Sequence, residues 1–148
     1  ADRVAFLSDG KLRQVGTPET LYDAPATRAV AEFIGHASLM DALFDGTNAS
    51  ITHGEQTITV PAIAATGITR EALAVVRPEA MQIVADAATA NGWSGRVVSR
   101  RFLGGTSAYR VTLADNFNLE ATSDDRSFNE GDAVRISITR APVALVAR

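Results

Sequence analysis

The last third of the chain restricts its fold more than any other stretch. Tyr109, Val111 and Leu113 alternate with Arg110 and Thr112, and Val134, Ile136 and Ile138 alternate with Arg135 and Ser137. A repeat of two puts successive side chains on opposite faces, as in half-buried β-strands. Asp115-Asn116 and Gly131-Asp132 stand at the ends of these runs as turn signals. Further short apolar runs cover Leu39 to Phe44, Ser50 to Thr52, Thr57 to Val60, Ala72 to Val76 and Met81 to Val84. A long strand runs from Val97 and Val98 to Leu103, and Pro142 starts a last one through Val146. Many short strands at regular spacing predict a mainly β fold, a small OB-like β-barrel rather than a large sandwich. Asp86 to Asn91 is small and alanine-rich and reads as a loop.

The first 36 residues have another pattern. Val4 to Leu7 and the run through Leu12 and Val15 flank Asp9-Gly10, a strong β-hairpin signal. An isolated hairpin is marginal, so this one must pack against something. Thr17 before Pro18 caps a short helix that Pro25 stops. Thr27 caps a second, whose apolar face is Ala29, Val30, Phe33 and Ile34, and Gly35 is expected to close it in the usual C-terminal way. A core-type strand at residue 4 implies that the chain begins inside a larger fold.

Charge and composition exclude several functions. The net charge is -3, and Lys11 is the only lysine. Nucleic-acid binding needs a strong basic footprint, and Arg100-Arg101-Phe102 is too short a patch in a chain with 6% aromatic residues. With no cysteine, thiolate chemistry, disulfides and thiolate metal sites are excluded. No apolar stretch is long enough to span a bilayer as a helix. His36 and His53 are far apart and near no carboxylate cluster in sequence, and Asp115 and Asp124-Asp125 fall in predicted loops, so neither a metal site nor an acid-base pair is expected.

Two stretches carry a family resemblance. Residues 1–35, with Asp9-Gly10, Gly16-Thr17-Pro18-Glu19, Leu21-Tyr22 and Pro25, resemble the last segment of an ABC-importer ATPase domain. Arg77-Pro78-Glu79, Phe102-Leu103-Gly104 and Gly131-Asp132 resemble the OB-like, TOBE-type regulatory domain that follows it in ATPase subunits for ferric iron, polyamines, sulfate and sugars. The resemblance implies two domains, 1–36 as the end of an ATPase domain and 37–148 as a regulatory and dimerisation domain. It implies ATP and Mg in an intact parent, none in this part, with a second copy and membrane-spanning permease subunits as partners. The place is then the cytoplasmic face of the cell membrane. No GxxxxGK[ST] loop occurs in the chain, so these residues are expected to be non-catalytic.

Within that frame three candidate sites stand out. Gly104, Gly105, Thr106 and Ser107 form either an anion-binding nest of backbone amides or the bend of a coiled barrel strand. Arg77 and Glu79 either meet another subunit or domain or are structural neighbours of Pro78. Trp93 is a core or rim anchor, with use at a dimer contact as the alternative.

Overall fold

The computed structural model describes residues 2–87 and 91–148. Of the loop expected over Asp86 to Asn91, residues 88–90 therefore lie outside the described residues. The chain opens with a hairpin of β1 (Val4–Ser8) and β2 (Lys11–Gly16), turning where Asp9 and Gly10 have φ of 53° and 74°. Two positive φ values in succession match the right-handed twist of the strands, which is why Asp-Gly suits this turn. Phe6 rests on Phe33 at 5.1 Å, whereas Leu7, Leu12 and Val15 face outward.

The helices α1 (Pro18–Asp23) and α2 (Arg28–Ile34) begin as the sequence predicts. The Thr17 hydroxyl accepts from the Thr20 amide at 3.1 Å and the Thr27 hydroxyl from the Val30 amide at 3.3 Å. Gly35 stands at the C-cap of α2, where the helix ends as expected, but its φ of 176° is extended and not left-handed. The buried face of α2 is Val30 and Ala31, while Ala29 and Phe33 are exposed, because the barrel meets the helix on its Ala31 side.

From Ser38 the chain is β. A barrel is closed by β3 (Ser38–Phe44), β4 (Asn48–His53), β5 (Gln56–Ala64), β6 (Glu71–Val76) and the last strand, β12 (Val143–Val146), in the order β12-β5-β4-β3-β6. β12 runs antiparallel to β6 and parallel to β5, so the final residues seal a barrel begun a hundred positions earlier. The strands between build a second, five-stranded sheet. A 3-10 turn at Pro78–Ala80 leads into β7 (Met81–Ala85), followed by β8 (Trp93–Phe102), β9 (Ser107–Leu113), β10 (Asn118–Ser123) and β11 (Ala133–Ile138), in the order β10-β9-β8-β11-β7. The expected OB-like barrel is thus present, with a half-barrel beside it.

The two sheets share one core. Met40, Ile51, Trp93, Tyr109, Val111, Ile136 and Leu145 belong to a single buried apolar cluster spanning both. In β8 the register to β9 shifts between Val97 and Ser99. That bulge breaks the alternation: Val97 is buried, and Val98 and Ser99 after it are both exposed.

Candidate functional site

Arg77 leaves the end of β6 in extended conformation (φ -79°, ψ 151°), and Pro78 starts the following turn where a missing N–H costs nothing. This carries the guanidinium outward over the end of the barrel, onto the helices. Only 6% of Arg77 is exposed. Its Nη1 donates to the carbonyls of Ala31 and Gly35, both at 3.1 Å, and of His36 at 3.3 Å, and its Nη2 donates to the carbonyl of Tyr22 at 3.1 Å. The guanidinium carbon lies 4.2 Å from the centre of the Tyr22 ring. Tyr22 Oη donates in turn to Glu79 Oε1. Burial lowers the Arg77 pKa from its ordinary value and Asp23 opposes that shift. Arg77 and Glu79 therefore both meet residues 17–36 of their own chain.

Trp93 is fully buried where the second sheet meets the barrel. Its Nε1 donates to the Ile51 carbonyl at 3.0 Å, and its ring stands edge-on to His53 at 4.9 Å. Burial of the N–H is tolerable because it finds this acceptor.

Gly104, Gly105 and Thr106 form the tip of the β8–β9 hairpin, where the Leu103 amide donates to the Thr106 carbonyl at 2.8 Å. Gly104 has φ 98°, a value side chains resist. Both glycines are exposed, and a Cβ added at Gly105 would meet nothing within 4 Å. Ser107 is completely buried, and its hydroxyl has no hydrogen-bond partner. Beside this tip the large apolar residues Phe102 and Leu103 are 61% and 50% exposed, and Arg126 lies 5.2 Å over the Phe102 ring.

The sequence did not foretell two histidine–carboxylate pairs. His53 is buried, and its Nδ1 lies 2.8 Å from Asp115 Oδ2. His36 Nε2 lies 3.1 Å from Glu120 Oε2, and Arg101 lies 3.4 Å from the other oxygen of the same carboxylate. The first pair joins the β4–β5 turn to the β9–β10 turn; the second joins the end of α2 to the second sheet. For Asp115, burial raises the pKa, but the hydrogen bond and charge of His53, with the amides of Phe117 and Asp115 itself, outweigh it and the net shift is downward. A span of 62 positions separates His53 from Asp115, so no local pattern could have signalled the pair. His36, Glu120, Arg28, Arg110 and Phe117 line an open groove of about 610 Å³ between α2 and the second sheet. Among the described residues no group of three or more histidines and carboxylates is placed to hold a metal ion.

A barrel and a half-barrel built around one core define a small β-domain, and comparison with known proteins gives its family. Residues 74–146, from the middle of β6 to the end of β12, match the model of the TOBE domain. The fold is similar to that of the molybdate-bound cytoplasmic molybdate-binding protein ModG, with a TM-score of 0.56 at 11% identity over 75% of this chain and 96% of that one. At that identity the likeness is one of fold alone. The chain is 35% identical to the Fe(3+) ions import ATP-binding protein FbpC 1 of Rhodococcus jostii over 97% of its own length and 41% of the relative's. It is 34% identical to the spermidine/putrescine import ATP-binding protein PotA 1 of Pseudomonas aeruginosa, over 95% of this chain and 40% of that one. It is also 34% identical to the sulfate/thiosulfate import ATP-binding protein CysA of Burkholderia pseudomallei, over 84% and 34% respectively. The chain belongs to the ABC-importer ATP-binding subunits of the ferric-iron, polyamine and sulfate group and carries their TOBE-type accessory domain. It spans about two fifths of the length of the first of these relatives.

Proposed function

We propose that this chain is the regulatory and dimer-stabilising region of an ATP-binding subunit that drives solute import. In this reading residues 1–36 end the ATP-binding domain and residues 37–148 are the regulatory domain. ATP and Mg bind elsewhere in the subunit, which works in pairs on the cytoplasmic face of the membrane with permease subunits. The observation that carries the dimer is the β8–β9 tip, where Phe102 and Leu103 are exposed side by side and Arg126 lies over the Phe102 ring. Apolar side chains grouped at a surface with aromatic and Arg neighbours have the makeup of a contact. A domain that holds two subunits together keeps their nucleotide faces at high effective concentration for reclosure.

A second reading is oxyanion sensing at Gly104, Gly105, Thr106 and Ser107, favoured by the unpartnered Ser107 hydroxyl next to the two glycines. One experiment separates the two. Light scattering over a concentration series, with and without sulfate or molybdate, should show a dimer that Phe102→Asp converts to monomer in either condition. A chain that stays monomeric at every concentration refutes dimer stabilisation. Dimers that appear only with the anion, and vanish in Ser107→Ala, select the sensing reading.

A further inference from the structure

We propose that Arg77 is a shared C-terminal cap for α1 and α2, and that this one guanidinium sets the position of the barrel relative to the helical segment. The last carbonyls of any helix lack partners within it. Here the Gly35 backbone is extended, so no left-handed residue folds back to satisfy them. Three such carbonyls, of Tyr22, Ala31 and Gly35, and that of His36 just past the end of α2, instead converge on the fork of Arg77, which reaches them from the end of β6. Gly35 packs closely here: a Cβ there would lie 3.3 Å from the Tyr22 ring, a tight contact, and 3.7 Å from Arg77 Nη1, an ordinary one.

The apolar contact under the clamp is small. Ala31 meets Leu73, Val75, Ala144 and Val146 on the outer face of β6 and β12, with Ala37 and Leu39 at the margin. Apolar burial is non-directional, and an alanine-sized contact leaves two short helices free to slide. A planar guanidinium bonded to four carbonyls fixes both distance and angle. Tyr22 is held twice, by the guanidinium over its ring and by Glu79 at its hydroxyl, which extends the same constraint to α1. Arg77 is thus a positioning residue. It carries movement between the helical segment and the regulatory barrel; only this regulatory consequence rests on the function proposed above.

The absence of cysteine makes the test clean. Spin labels at Glu19→Cys on α1 and Glu55→Cys on the β4–β5 turn report the distance between helices and barrel, and hydrogen exchange reports local opening. In the 148-residue chain, Arg77→Ala should broaden the distance distribution and speed amide exchange in residues 17–36 by about a hundredfold, since several bonds to one charge are lost. Amides of β4 and β5 in the barrel should keep their rates. Arg77→Lys retains the charge without the fork, reads the same question if the alanine variant does not fold, and should fall between the two. Unchanged exchange and distances in the lysine and alanine variants would overturn the proposal. So would equal acceleration in barrel and helices, which would make Arg77 an ordinary buried residue. Dimerisation is read separately by light scattering, so its failure leaves this test intact.

Discussion

Replacing Trp93 with Phe tests whether the two sheets share one core. The indole is fully buried and donates from Nε1 to the Ile51 carbonyl of the neighbouring barrel at 3.0 Å. Losing that donor leaves a buried acceptor unpaired, a cost of about 1–3 kcal/mol. The smaller ring leaves a void on the order of 40 Å³, which at about 24 cal/mol per Å³ adds about 1 kcal/mol. The sum is about 2–4 kcal/mol. For a chain of this size it corresponds to a fall in melting temperature of about 5–12 °C. Urea unfolding followed by far-UV circular dichroism should show a lower midpoint with an unchanged slope. In the wild-type chain, fluorescence of this sole tryptophan should follow the same transition, because one core fails at once. A loss under about 1 kcal/mol would refute the reasoning about the buried bond. Separate fluorescence and dichroism transitions would refute the shared core.

The His53–Asp115 pair predicts a dependence on acid. The folded-state pKa of Asp115 lies below its ordinary 3.8, so its stabilisation is present above that value and lost as pH falls through the folded-state value. Asp115→Asn should therefore lower the urea midpoint at neutral pH and converge with wild type in strong acid. The side chain is 39% exposed, so solvent holds the effect below about 1 kcal/mol; a gap that widens in acid would contradict the sign. Two glycines should behave oppositely when changed to alanine. At Gly92, with φ 111°, a Cβ would sit 2.2 Å from the Ile136 carbonyl oxygen, and a loss of about 3 kcal/mol or more is expected in urea unfolding. At Gly105 there is open space, and the midpoint should stay within about 0.5 kcal/mol of wild type.

What the sequence determined by itself was local. Asp9-Gly10 turns the first hairpin, Thr17 and Thr27 cap their helices, and alternation marks β9 and β11, because each depends on residues a few positions apart. The motifs around Arg77 and Phe102 also sufficed for the family. Tertiary structure decided which strands close on which. β12 pairs with β5 and β6 across the whole second sheet, and nothing near Val143 encodes that choice. It also decided the partners of the charged groups. Arg77 was legible as a candidate contact, but its acceptors are backbone carbonyls more than 40 positions away, and a carbonyl leaves no mark in a sequence. Gly35 was legible as the end of α2, and the helix does end there; its extended backbone was not legible. Its close packing with Tyr22 and Arg77 exists only once the helices lie against the barrel.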